Sequence, residues 1–272
     1  MTYIQLINLS SIIKTIKILI VVFIFVPNLF ANNKIQKDKK IIINTLEAHK
    51  DRLIEISDNI WEAAEPALLE FKSSKYLSDY AEENGFRVKK GVAEIPTAFV
   101  AEYGSGRPII GILGEFDANP GISQKKQPIK EPLIKGAAGH GCGHNLFGTG
   151  SLGAAIAIKE MIESGEISGT IRFYGTPAEE TIFAKVWMVR AGLFDDLDLC
   201  MDWHPGDEIE ASTQSSKALV DFRLRFYGDA AHASGDPWNG NSAVDAMELY
   251  TTGLNYYREH IKPTARIHYD IE

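Results

Sequence analysis

The alternation of segment types between residues 107 and 204 constrains the fold of this chain more than any other feature. Segments with the pattern of strands lie at 107–117, 169–175 and 197–204, and segments with helical spacing lie between them at 150–164 and 184–194. The first strand segment, RPIIGILGEFD, is a continuous apolar run of the kind that is buried on both faces of a sheet. This alternation predicts an α/β fold whose ligand chemistry lies at the carboxyl ends of the strands.

The pattern before and after this region divides the chain into two predicted domains. Before this region, helices are predicted at 39–65 and 73–86 and a strand at 97–104. After it, the pattern changes near residue 215. A half-exposed strand (215–228), a long amphipathic helix (241–261) and another strand (265–272) are predicted there. We therefore predict a mixed-sheet α/β domain with helices on both faces at 40–214. A smaller α+β domain is predicted at 215–272.

The N-terminus has the order of a secretory signal. Two lysines precede the apolar run at 18–26, and a possible cleavage site follows at Ala31. We predict a signal peptide at 1–31, a charged linker at 32–39 and export to the periplasm. The alternative is an uncleaved membrane anchor that faces the periplasm, because Leu29 is larger than the residue preferred three positions before the cut.

Composition excludes several classes of protein. The chain is 45% hydrophobic and 24% charged, as expected of a globular protein with a sizeable core. Its net charge of −8 argues against a nucleic-acid partner. The two cysteines of an exported chain could form a disulfide, but Cys200 lies in the apolar segment LDLCMDWH. We predict that Cys200 is a buried core residue and that Cys142 has a chemical role.

Residues that suit a transition metal follow several predicted strands. Cys142, His144, Glu179 or Glu180, and His204 offer thiolate, imidazole and carboxylate ligands. Taken one by one, the same residues also fit a glycine-rich turn with a buried cysteine, a solvated acidic pair, and a surface histidine before proline. We favour a metal site because, without one, all these segments would have to carry ligand-type residues by independent coincidence.

Nearby carboxylates and histidines complete this hypothesis. Of the acidic pair in PAEE, one carboxylate can bind metal while the other takes a proton from water. Asp117, at the end of a buried strand, could accept a hydrogen bond from a metal-binding imidazole. His140 is predicted to shape its loop. His49, His260 and His268 are predicted to be structural.

Five blocks in order carry a resemblance to a known family. They are LGEFDANPGISQ (113–124), GHGCGHNLFGTG (139–150), RFYGTPAEE (172–180), MVRAGLFDDLDLCMDWHP (188–205) and AAHASGDPWNGNSAVDAMELYTTGLNYYREHI (230–261). Together they resemble the amidohydrolase branch of metallopeptidase family M20, and within it the group of proteins like the B-type chain of aminobenzoyl-glutamate hydrolase. The resemblance extends over nearly all of residues 40–272.

The resemblance implies a ligand set for two divalent ions, Mn or Zn, that share a bridging water. Cys142 would replace the bridging aspartate of related peptidases. The further ligands would be His144, Glu180 and His204.

Roles for three more residues are implied in the same way. Glu179 would be the general base, and Asp117 would orient a ligand. His232, in AAHAS, resembles the histidine that the smaller domain contributes to a partner subunit's active site, where it stabilises the oxyanion. The resemblance therefore implies that the second domain is a lid or dimerisation domain and that the chain forms a homodimer through it.

The implied substrate is an N-acyl or aminobenzoyl amino acid, such as the glutamate conjugate, and the alternative within the family is a dipeptide. Relatives are longer than this chain and supply one more metal-binding histidine near their C-terminus. We therefore expect a fragment, whose last ligand could come from a separately encoded C-terminal piece. A third hypothesis is an inactive remnant that binds and dimerises. The segment 179–185 departs from a glycine-rich stretch of the relatives, which affects the predicted shape of the substrate site.

Overall fold

The computed structural model describes the backbone of residues 9–211 and 217–272, and the side chains of 33–211 and 217–272. The chain divides into two compact units, residues 1–207 and 208–272. The predicted signal peptide at 1–31 lies outside the residues whose side chains are described. Across the described residues, no helix combines the length and the apolar character that a membrane crossing requires.

The first unit contains all eight elements that sequence periodicity predicts for it, together with a strand at Arg87–Lys90 and a short helix at Glu179–Ile182 that it does not predict. Its elements are α1 (Leu9–Ala63), α2 (Phe71–Glu83), β1 (Arg87–Lys90), β2 (Phe99–Ser105), β3 (Ile109–Glu115), α3 (His144–Glu163), β4 (Gly169–Thr176), α4 (Glu179–Ile182), α5 (Ala184–Arg190) and β5 (Leu199–Met201). The strand β1 is not predicted, because its sequence RVKK has one apolar residue and three basic ones.

The segment 32–39, predicted as a linker, is part of the helix α1. Lysine is a good helix former, and the ammonium of Lys34 lies 2.8 Å from the Asp38 carboxylate one turn later. Lys37 also contacts the Glu166 carboxylate at 2.6 Å. These polar contacts allow a charged segment to stay helical without an apolar face.

The five strands form one mixed sheet in the order β1-β2-β4-β3-β5. Strands β1, β2 and β4 pair antiparallel, whereas β3 pairs parallel with both β4 and β5. The mixed sheet confirms the predicted α/β fold class. Because β3, β4 and β5 are parallel, their carboxyl ends lie at one edge of the sheet.

Alternate residues of the sheet face two layers of helix. Phe99 and Phe173 are fully buried in the cluster that includes residues of α1, α2 and α3. Tyr174, the next residue along β4, packs instead with Ala184 and Met188 of α5. The period of two therefore places helices on both faces, as the sequence predicts.

The prediction that Cys200 belongs to the core is wrong. Cys200 is exposed, and its neighbours Leu199 and Met201 are each 50% exposed. The reason is position in the sheet: β5 is an edge strand that pairs only with β3 among the described residues. Neither described cysteine forms a disulfide.

The second unit contains one long helix, α6 (Ala243–Tyr257), within the predicted segment 241–261. The strands predicted at 215–228 and 265–272 do not form in the described part of these segments, 217–228 and 265–272. A strand is stable only with backbone partners, and the described bridge of this unit, between Asp229 and Asn241, pairs a single residue with another.

Candidate metal centre

The candidate site lies where parallel strands end and helices begin. Asp117 follows β3, His144 is the first residue of α3, Glu180 is in the short helix after β4, and His204 follows β5. These side chains meet because the three strands run in the same direction and their carboxyl ends share one edge.

Glycines permit a close approach between β3 and the first turns of α3. A Cβ atom on Gly148 would lie 2.6 Å from the Glu115 carbonyl oxygen, and one on Gly114 would lie 3.1 Å from the Gly148 Cα. Larger residues at these positions would push the helix off the strand. This contact brings His144 beside the end of β3.

Buried carboxylates surround His144, which is 1% exposed. Its Nδ1 lies 3.0 Å from Asp117 Oδ1 and 3.1 Å from the Asp117 carbonyl oxygen, so Nδ1–H donates to Asp117. The Nε2 atom lies 2.9 Å from Glu115 Oε2 and 3.6 Å from Glu180 Oε1. Burial lowers the pKa of His144, but Asp117 and Glu115 outweigh burial and raise this pKa to about 10.

Three buried polar atoms converge at this point, His144 Nε2, Glu115 Oε2 and Glu180 Oε1, and besides the ion-pair contacts of Nε2 with the two carboxylates they have no hydrogen-bond partner. Buried polar atoms normally have partners, and these three are compatible with one another only when a proton or a metal ion lies between them. Imidazole and carboxylate donors suit a divalent transition metal. The residues present therefore fit a metal ion.

Two groups of possible ligands share His144. Donor atoms of Cys142, His144 and His204 lie within 4.8 Å of one another, and so do those of Glu115, His144 and Glu179. Together the two groups bring one thiol, two imidazoles and two carboxylates to one place, which is enough donors for more than one divalent ion.

Asn119 holds the loop that carries Cys142. Its Oδ1 accepts hydrogen bonds from the backbone N–H of Gly141 at 3.0 Å and of Cys142 at 3.2 Å. Burial and the neighbouring Glu180 carboxylate raise the pKa of the Cys142 thiol to about 11. A bound cation would reverse this effect, because a coordinated thiol is deprotonated.

His204 is exposed and approaches the group from the β5 side. Its Nδ1 lies 3.0 Å from the Pro205 carbonyl oxygen, so Nδ1–H donates there and Nε2 keeps its lone pair. Its ring centroid lies 5.7 Å from that of His144 and 6.0 Å from that of Phe147. Trp203 next to it donates from Nε1 to Ser151 Oγ at 3.1 Å, which ties this loop to α3.

The acidic pair is held through the backbone. Glu180 N–H donates to Asp117 Oδ2 at 2.9 Å, so the Asp117 carboxylate bonds both His144 and the start of α4. Burial first, and then the charge of Glu115, raises the pKa of Glu179. A carboxylate with a raised pKa is a better proton acceptor, as a general base should be.

Sequence reasoning missed two residues of this site, Glu115 and Lys185. Glu115 is 6% exposed and forms an ion pair with Lys185 on α5. Burial raises the pKa of Glu115, but His144 and Lys185 outweigh burial and lower this pKa. The available signal was spacing, since Glu115 lies two residues before Asp117 and therefore on the same side of an extended chain.

Two other predicted histidines lie apart from these ligand groups. His140 Nε2 lies 3.1 Å from the Ile60 carbonyl oxygen. His232 belongs to the second unit, where its Nδ1 accepts from the backbone N–H of Ser234 at 3.2 Å and of Gly235 at 2.9 Å. These bonds assign the proton of a neutral His232 ring to Nε2, which can then donate to a ligand.

Fold and donor set together define a class: an α/β protein with a candidate divalent-metal centre at the carboxyl end of its parallel strands. The chain belongs to peptidase family M20/M25/M40, whose model matches residues 111–266.

Individual relatives support this assignment. The chain is 44% identical to the B-type chain of p-aminobenzoyl-glutamate hydrolase from Escherichia coli (strain K12), over 87% of this chain and 49% of the relative. It is 31% identical to Xaa-Arg dipeptidase of Mus musculus, over 85% of this chain and 52% of the relative. The chain thus spans about half the length of these relatives.

A solved structure shares the fold. It is the aminobenzoyl-glutamate utilization protein from Klebsiella pneumoniae, with a TM-score of 0.56 and 19% identity, and the match covers 78% of this chain and 59% of that one.

Proposed function

We propose that this protein is a metal-dependent hydrolase that cleaves the amide bond of an N-acyl or aminobenzoyl amino acid. The observation that carries the proposal is the pair of possible ligand groups that include His144, at the point where buried His144 Nε2, Glu115 Oε2 and Glu180 Oε1 converge. The relative that is 44% identical is named for hydrolysis of p-aminobenzoyl-glutamate, which supports this substrate class.

The proposed site holds two divalent ions, Mn or Zn. Cys142, His144, Glu180 and His204 would bind them. Glu115, as a member of one ligand group, is a further possible ligand. Bound ions of this kind polarise an amide carbonyl and acidify water.

The protein's own residues then supply orientation and proton transfer. Asp117 keeps the proton on His144 Nδ1 and leaves Nε2 to the metal. Glu179 takes the proton of the attacking water and passes it to the leaving amide nitrogen. His232, with a proton on Nε2, would donate to the oxyanion in a partner subunit's site.

The proposal extends to assembly and location. Exposed apolar side chains of the second unit, such as Val220 at 82%, Tyr227 at 84% and Trp238 at 77%, support a homodimer formed through this unit. The signal pattern of residues 1–31 supports export to the periplasm, with membrane anchoring as the alternative.

A dipeptidase is the second candidate, favoured by the 31% identity to Xaa-Arg dipeptidase. Comparing p-aminobenzoyl-glutamate with a panel of dipeptides as substrates separates the two. A soluble oligomer that binds no metal would instead support the third hypothesis, a remnant that only binds and dimerises.

The central test is calorimetric titration of Zn²⁺ and Mn²⁺ into the purified protein, followed by the substrate assay with and without a C-terminal segment from a relative. Cys142→Ser should weaken metal binding more than about 100-fold, since loss of an orienting contact alone costs 10–100-fold. Glu179→Gln should abolish hydrolysis. Cys200→Ser, at an exposed cysteine outside the ligand groups, is the matched control. Absence of metal binding in the unaltered protein would overturn the proposal.

A further inference from the structure

Glu70 is a buried carboxylate that the proposed mechanism does not use. It is 0% exposed and precedes the first residue of α2. Its Oε2 accepts a hydrogen bond from Thr97 Oγ1 at 3.1 Å, and its Oε1 accepts one from the backbone N–H of Ala178 at 2.9 Å. Both partners are also 0% exposed. Glu70 therefore joins α2 to the segment just before the acidic pair of the metal centre.

Glu70 lies at the N-cap position of α2, but its side chain does not cap this helix. A residue before the first turn of a helix usually caps that helix, but the Glu70 side chain makes no capping bond to α2. Glu65 takes that role, because its carboxylate accepts from the backbone N–H of Lys72 at 3.1 Å and of Ser73 at 2.9 Å. The Glu70 carboxylate is thereby available to bind Ala178.

Ala178 has a backbone conformation that needs support. Its φ of 56° and ψ of 37° are left-handed, a region that is unfavourable for any residue with a Cβ atom. Phe183, at the other end of α4, is also left-handed with φ 55°. The short helix that carries Glu179 and Glu180 is thus bracketed by two unfavourable turns. An unpaired N–H at buried Ala178 would add to this cost.

We infer that Glu70 is a positioning residue for the metal centre: held by Thr97, its carboxylate fixes the Ala178 turn and so aims Glu179 and Glu180. The inference rests on the proposed function, since the aimed carboxylates are a proposed base and a proposed ligand. Asp117 fixes the same helix two residues later, at the Glu180 amide. Two carboxylates from different elements therefore fix neighbouring parts of the segment.

The test compares Glu70→Ala with Glu70→Gln. Alanine removes both hydrogen bonds, whereas glutamine can accept from Ala178 N–H and donate to Thr97 Oγ1. The control is Tyr80→Phe, which removes the contact between Tyr80 Oη and His49 Nδ1 at 2.6 Å, a bond of the same helix α2 to α1.

Two readouts are needed. In metal-free protein, amide hydrogen exchange of the segment 177–183 should become faster in Glu70→Ala and stay unchanged in Glu70→Gln. In a titration with Co²⁺, followed by calorimetry and by the visible spectrum of the bound ion, Glu70→Ala should bind about 10–100-fold more weakly with an altered spectrum. Glu70→Gln and the control should keep the affinity and spectrum of the unaltered protein.

Thr97→Val covers the possibility that Glu70→Ala does not fold. It removes the donor that holds Glu70 and should weaken Co²⁺ binding about threefold to tenfold. If the unaltered protein binds Co²⁺ and neither Glu70→Ala nor Thr97→Val changes the affinity or the spectrum, this inference is wrong while the proposed function stands. Failure of the unaltered protein to bind Co²⁺ overturns the proposed function instead, and the exchange data then report whether Glu70 fixes the turn.

Discussion

The metal centre of the first unit and the turn around His232 in the second unit hold their histidines in different ways. His144, on helix α3, is 1% exposed, and its ion-pair contacts come from residues at the ends of β3 and β4. His232 lies in a loop, and its described hydrogen bonds come from residues 234–236. A buried site of the first kind depends on the whole sheet, whereas the second is a local turn that needs no distant partner.

The two units also differ in how deeply their side chains are buried. Asp117, Glu115 and Glu70 are all buried carboxylates of the first unit, whereas no residue of the second unit is buried within 217–272. Interactions of buried charges are strong because water does not screen them. We therefore expect substitutions in the first unit to have large effects that spread to the site, and matched substitutions in the second unit to have small, local ones.

The largest expected effect concerns pH. Burial, and next the charge of Asp117, raises the pKa of Glu70 to about 7 from the usual 4.5. The folded chain then binds more protons than the unfolded chain between these values, so the stability that Glu70 contributes falls as pH rises from about 4.5 to 7. The difference amounts to roughly 3 kcal/mol.

Urea unfolding of metal-free protein across this pH range measures the effect. Stability of Glu70→Gln should fall less with pH than that of the unaltered protein. The matched control is Glu248→Gln at an exposed position of α6, which should leave the pH dependence as it was. Parallel curves for the unaltered protein and Glu70→Gln would show that the Glu70 carboxylate is not perturbed in the fold.

The next effect compares two aspartates that each fix a histidine. Asp117→Asn keeps an acceptor for His144 Nδ1–H but removes the oxygen that accepts from Glu180 N–H. Loss of such a supporting contact should weaken Zn²⁺ binding about 10–100-fold. Asp236→Asn is the counterpart, since Asp236 Oδ1 accepts from the backbone N–H of His232 at 3.1 Å. Calorimetry should find unchanged Zn²⁺ affinity in Asp236→Asn, and equal losses in both variants would contradict the division between the units.

The contrast between local contacts and contacts of distant segments also explains how much could be predicted from the sequence. Apolar runs and helical spacing predict β3, β4, α3 and α6, because each pattern reports which face of its own element is buried. Asp117 and the acidic pair Glu179 and Glu180 could be proposed for the candidate site because they follow such strands, and the choice of Glu180 as the ligand comes from the family resemblance. The ion pair of Glu115 with Lys185 and the bond from Glu70 to Ala178 could not be predicted, since they join elements that are far apart in the chain.

Errors in the prediction have the same origin. Cys200 lies in an apolar segment, and the pattern correctly indicates a strand, but position at the edge of the sheet leaves the residue exposed. The half-exposed pattern of residues 217–228 likewise indicates a strand, yet a strand also needs a partner to form a ladder. Periodicity indicates which secondary structure a segment favours. Whether that structure forms, and how deeply it is buried, depends on neighbouring strands and helices that the pattern does not identify.

The smallest expected effect tests the local character of the second unit. Ser242 precedes α6, and its Oγ accepts from the backbone N–H of Asp245 at 3.0 Å. Ser242→Ala should lower the free energy of unfolding of this unit by about 1 kcal/mol, because the helix loses its N-terminal cap. Urea unfolding followed by the fluorescence of Trp238, with the other tryptophans replaced by phenylalanine, measures this change. Zn²⁺ affinity in the first unit should not change, because the lost bond is confined to the first turn of α6; a weaker affinity would mean that the two units are energetically coupled.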